Sequence, residues 1–106
     1  MKMGDSHVWV SVRCLVSFDN GLFEERITLW QAKSMDGAIS AAEEAARRYA
    51  QQSGGRYLGL AQAYLMSDGP PASGDEVFSL FRESDLDGES YVNKFFDTGA
   101  ERQQRT

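Results

Sequence analysis

The chain holds one cysteine, one histidine and two prolines among its 106 residues, and each scarcity excludes something. A lone thiol, Cys14, cannot close an intramolecular disulfide. With one histidine, no Cys/His set of zinc-ligand spacing can be assembled either. His7 sits beside a polar start, so no Ser-His-Asp arrangement builds around it. No apolar run reaches the about 18 residues that a membrane-spanning helix needs, and the first residues lack the apolar core of a signal peptide. Basic residues are in the minority: 11 Lys and Arg against 16 Asp and Glu leave a net charge of −5. That balance opposes a nucleic-acid surface, which calls for a basic patch. The matching expectations are a cytoplasmic protein with no metal, no cofactor and neither nucleic-acid nor membrane partners.

The composition that is present, 42% hydrophobic and 25% charged, is that of an ordinary globular domain. One domain over 7–99 is expected, with loose termini at 1–6 and 100–106. The strongest local signal is a β-hairpin. Two β-rich runs, Val8 to Phe18 and Leu22 to Ala32, flank Asp19-Asn20-Gly21, and Asn-Gly favours a two-residue type I′ turn. That turn predicts the pairs Phe18 with Phe23, Val16 with Glu25, Cys14 with Ile27 and Val12 with Leu29. One face would then be apolar apart from Glu25. The other would carry Trp9, Arg13, Leu15, Arg26 and Trp30, with the two indoles as diagonal neighbours.

After the hairpin, Ser34 reads as a helix N-cap with Asp36 in the first turn. The helix runs to about Gln52 and stops at Gly54-Gly55. Ala38, Ile39, Ala42, Ala45, Ala46 and Tyr49 form its apolar stripe, while Glu43 with Arg47 and Glu44 with Arg48 are i, i+4 pairs. Residues 56–66 predict a third strand, central or covered on both faces. The loop 67–74 holds both prolines, and 76–83 predicts a fourth strand. Tyr91, Val92, Phe95 and Phe96 then keep the 3-4 spacing of a short helix. The expected fold is α+β: a four-stranded antiparallel sheet in the order β-β-α-β-β, one long helix on a face, and a short helical C-terminal segment.

Chemistry-bearing groups are few. Cys14 lies among Val12, Leu15 and Val16, where a free thiol is usually buried and inert. Asp85-Leu86-Asp87-Gly88-Glu89 has acids but not the spacing of a calcium loop. Glu25 on an apolar face needs a cation, and Arg47, Arg48 or Arg82 can supply it. The aromatic face around Trp9 and Trp30 has two readings: a second small core under Tyr91, Phe95 and Phe96, or an exposed patch that recruits a partner.

Several short motifs occur together: Trp9-Val10 and Cys14-Leu15, Glu24-Glu25-Arg26-Ile27, Ala38-Ile39 with Ala42-Glu43-Glu44-Ala45, Val77-Phe78-Ser79, and Phe96-Asp97-Thr98-Gly99-Ala100-Glu101. In these the chain resembles a family of small single-domain bacterial proteins of unknown function. The resemblance implies a stand-alone domain and brings no activity with it. The residues themselves point away from an enzyme and toward a protein-interaction module, either a homo-oligomer or an immunity- or regulatory-type binder. Trp9, Arg13, Arg26, Trp30, Tyr91 and Phe95 are its candidate contacts. The alternative is a small-ligand binder or enzyme with a pocket between the sheet and the C-terminal segment, around Glu25, Arg26 and Arg82.

Overall fold

Three residues, not two, reverse the hairpin. In the computed structural model, which describes residues 7–66 and 69–96, Asp19–Gly21 forms a 3-10 turn between β1 (Val8–Phe18) and β2 (Leu22–Ala32). Gly21 takes the left-handed conformation at φ 71° that closes a three-residue loop. Phe18 therefore opposes Leu22, Val16 opposes Glu24, Cys14 opposes Arg26, Val12 opposes Thr28 and Val10 opposes Trp30. The expected register is off by one residue, and in a strand that slip moves every side chain of β2 to the other face.

Ser34 caps α1 (Met35–Ser53) as expected, its hydroxyl accepting from the Gly37 N–H at 3.0 Å. Gly54 ends the helix at φ 80°. A second connection leads to β3 (Arg56–Leu65), which pairs antiparallel with β1. The sheet order is β2-β1-β3, so β1 is the central strand and β3 lies at an edge; of the two options its composition left open, a central position or cover on both faces, the first is corrected. Among the described residues the fold is α+β, with a three-stranded antiparallel sheet and two helices.

The core is thin. Val10, Val12, Cys14 and Val16 are buried on one side of β1, and Ala38, Ala42, Ala46 and Ala50 recur every fourth residue along α1; Val10, Val12 and Cys14 form one cluster with Ala38, Ala42 and Ala46. Trp30, Ala32, Tyr57, Ala61 and Ala63 pack around that seam. Side chains no larger than a methyl let the helix lie close to the sheet, so a short contact still excludes water. Of the two expected helix pairs, Glu44 bonds Arg48 at 2.8 Å. Glu43 instead accepts from the Tyr57 hydroxyl at 2.6 Å.

The segment 76–83 has no strand ladder, which corrects the expected fourth strand and the β-β-α-β-β order. It crosses the sheet face opposite α1. Glu76 bonds the Tyr64 hydroxyl on β3, the Val77 carbonyl accepts from the Ser11 hydroxyl on β1, and Phe78 packs on Tyr64. Its contacts run to side chains on the sheet face and not to a strand backbone, so this stretch covers the sheet and does not extend it. The chain then forms α2 (Gly88–Phe95), capped by Asp87, whose carboxylate accepts from the Ser90 N–H at 2.8 Å. The expected loose termini at 1–6 and 100–106 lie outside the described residues, as does most of the motif from Phe96 to Glu101.

Candidate interaction face

Alternation along β1 and β2 divides the candidate residues between two faces. Trp9, Ser11, Arg13 and Leu15 lie on the face away from α1, and the observed register sets Phe23, Glu25, Ile27 and Leu29 beside them. Arg26 and Trp30 go to the helix side. The expected grouping of Trp9 with Trp30 and of Arg13 with Arg26 is therefore corrected: the sheet separates each pair. Tyr91, Phe95 and Phe96 do not close over two stacked indoles. They cluster with one another, with the Tyr91 and Phe95 ring centroids 4.7 Å apart.

Each displaced side chain has a structural task on the helix side. The Arg26 guanidinium lies 3.6 Å from the Tyr49 ring centroid, and Glu24 accepts from the Tyr49 hydroxyl at 2.6 Å. Trp30 donates its indole N–H to Thr28 Oγ1 at 2.7 Å. Cys14 is buried in the same seam, and burial pushes its thiol pKa up, so it stays protonated and a poor nucleophile.

Tyr57 gives this seam a pH dependence. Burial first, and then its bond to Glu43, raise its pKa above the ordinary 10.0. A raised value means the unfolded phenol ionises before the folded one. The stability it lends is complete below about pH 10 and falls as pH climbs past it. Tyr49 and Tyr64, raised chiefly by their bonds to Glu24 and Glu76, act in the same direction. Urea unfolding on both sides of that point is expected to show the alkaline loss, and Tyr57→Phe is expected to reduce it. An unchanged pH profile in Tyr57→Phe would refute the assignment.

On the open face the polar residues converge. Arg13 contacts Glu25 at 3.4 Å and bonds Gln62 from its Nε at 3.0 Å, and its guanidinium lies 5.1 Å from the Phe78 ring centroid. Glu25 thus finds its cation one strand away on β1, not in Arg47, Arg48 or Arg82. Arg82 bonds the Tyr91 hydroxyl at 3.0 Å and stacks 4.4 Å from the Phe95 ring centroid. Two adjoining cavities share Arg13, Glu25 and Arg82. One, of about 130 Å³, is also lined by Leu15 and Leu60; the other, of about 190 Å³, by Leu80, Tyr91, Phe95 and Phe96. Of the residues named from sequence for a pocket, Glu25 and Arg82 meet here and Arg26 does not. Gln62, Leu60 and Leu80 were missed, since nothing local marks which strand residue a distant segment will cover.

Beyond the cleft, the open face of β2 is bare. Phe23, Ile27 and Leu29 stand in a row at 60%, 49% and 43% exposure. The outer edge of β2 is also free: among the described residues it pairs only with β1. No described helix is long and apolar enough to cross a membrane. Comparison with protein-family models, with curated proteins and with solved structures finds no match to this chain.

Proposed function

We propose that this protein is a non-enzymatic interaction module that pairs with a second copy of itself along the free edge of β2. The observation that carries the reading is the half from Ile27 to Ala32, Ile-Thr-Leu-Trp-Gln-Ala, an edge segment with no charge, proline or glycine. Unpaired N–H and C=O groups on such an edge are a template for another strand, and proteins that stay single usually guard the edge with charge or proline. Glu24, Glu25 and Arg26 guard the first half of β2; the second half has no such guard.

Charge selects the occupant and the register. An antiparallel pair centred on Thr28 sets Ile27 against Leu29 of the second copy, Arg26 against Trp30, Glu25 against Gln31 and Glu24 against Ala32. No like charges meet. Centring on Glu25 or on Arg26 instead sets that charge against itself, which is destabilising. The Thr28 register also joins the two rows of Ile27 and Leu29 into one apolar band, and it gives each sheet the further strand that 76–83 does not supply.

Light scattering on the full chain tests the reading. The expected mass is twice the 11.8 kDa of one chain. Leu29→Lys places an ammonium against an apolar side chain, and is expected to weaken association by about tenfold or more while leaving the circular dichroism spectrum unchanged. A wild-type chain that stays single at high concentration overturns the proposal. So does an Ile27→Lys/Leu29→Lys variant that still forms the dimer.

A further inference from the structure

The cleft at Arg13, Glu25 and Arg82 adjoins β2 through Glu25 and has a chemistry of its own. Its charged groups sum to one positive charge, in a chain whose net charge is −5. Arg13 is already engaged by Glu25 and Gln62. Arg82 is held in place by the Tyr91 hydroxyl and the Phe95 ring, and no described carboxylate pairs with it. A guanidinium has five N–H donors, and most of those on Arg82 have no partner among the described residues. Beside the charged groups, Leu15, Leu60, Leu80 and Phe96 supply the apolar part of the cleft lining.

We propose that this cleft binds a small amphipathic monocarboxylate, with its carboxylate on Arg82 and its apolar body against Leu15, Leu60 and Leu80. Three features define that class. Guanidinium and carboxylate match in plane and spacing, so the pair forms two parallel charge-assisted bonds. Glu25 in the same cleft repels a second negative charge, which disfavours phosphate monoesters and dicarboxylates. The cavity volume sets the size, since an apolar cavity of about 150 Å³ accommodates a benzene ring. A body of about one aromatic ring therefore matches either of the two cavities, about 130 and 190 Å³.

Tyr91 and Phe95 are positioning residues here. Both come from α2, so the site exists only while that helix is docked, and ligand should in turn hold α2 in place. Asp87, which caps α2, has its pKa lowered by the Ser90 N–H bond, then by the Ser90 side chain. A depressed carboxylate pKa stabilises the helix above its unfolded value and loses that contribution as pH falls. Ligand binding should weaken on acidification for this reason as well as through protonation of the ligand.

Nuclear magnetic resonance titration of the full chain with phenylacetate tests the proposal, using phenylacetamide and inorganic phosphate as comparison probes. Saturable shifts of the Leu15, Leu60 and Leu80 methyls are expected with phenylacetate. Phenylacetamide, which has the same body without the charge, is expected to bind about tenfold more weakly or worse. Arg82→Gln is expected to lose phenylacetate binding by a similar factor, with thermal stability and oligomeric mass unchanged. Equal binding of acid and amide, tighter binding of phosphate, or no saturable shift in the wild-type chain overturns the proposal. The acid–amide comparison needs no variant, so it decides even if Arg82→Gln fails to fold. Leu29→Lys is expected to keep phenylacetate binding, so failure of the self-association reading and failure of this one are told apart.

Discussion

Gly55→Ala is expected to destabilise the fold by about 2 kcal/mol, although alanine is ordinarily the easier residue to order. A β-carbon at position 55 would lie 2.7 Å from Phe18 Cε1, 2.9 Å from the Ser17 carbonyl oxygen and 2.9 Å from Val16 Cγ1. A phenyl ring can swing away. The Ser17 carbonyl cannot, because β1 is the central strand and its backbone is paired on both sides at that position. Two effects oppose each other: restricting the unfolded chain gains about 0.4–1 kcal/mol, while overpacking costs about 1–3 kcal/mol. A clash with fixed backbone belongs at the upper end of the second range, so the loss wins.

The neighbouring glycine supplies the internal control. Gly54 sits at φ 80° with open space around its missing β-carbon, so its substitution meets no atom and costs only the left-handed conformation, about 1 kcal/mol. Gly55→Ala should therefore be the more damaging of the two in urea unfolding. For a domain of this size each kcal/mol moves Tm by about 4–8 °C, so the difference is readily measured. A reversed order would show that the approach of the helix exit to β1 is not held by the packing described.

That pair of glycines also shows where sequence reasoning reached its limit. Gly54-Gly55 is legible as a helix stop, as Ser34 is as a start, because capping is decided within four residues. The small inward stripe of α1 is equally local. The register of the hairpin was not legible, for a physical reason. Both rows of β2 carry apolar side chains, Phe23, Ile27 and Leu29 on one and Leu22, Trp30 and Ala32 on the other. Binary patterning therefore cannot say which row faces the core. The choice falls to the turn, where Asp19 joins the loop and Gly21 takes the left-handed conformation. Residues 76–83 failed for a related reason: whether a β-prone stretch forms a ladder or crosses a face depends on distant partners. Glu25 and Arg82 still meet, because the slip that sent Arg26 and Trp30 to the helix brought Glu25 over to the face where Arg13 already stood.

Ala42→Leu is the second large effect, expected at about 3 kcal/mol of lost stability. Ala42 is buried at the middle of the α1 stripe, in one cluster with Val12 and Cys14. Leucine adds three carbon atoms at a position only 2% exposed, and the seam can open by lifting α1 from the sheet. Lifting α1 would also pull on the rim contacts, Tyr49 with Glu24 and Arg26, and Tyr57 with Glu43. The cost should therefore exceed that of a local clash, and for a chain of this size it is a large part of the whole stability. Ser40→Leu, on the exposed side of the same helix, adds apolar volume without burying it and is expected to change stability by no more than about 0.5 kcal/mol. The two variants also separate the faces of the sheet. An overpacked seam that leaves dimer mass and phenylacetate binding intact until the protein unfolds would place both away from the helix side. A seam variant that lost them while still folded would instead tie them to the helix side, against the register observed here.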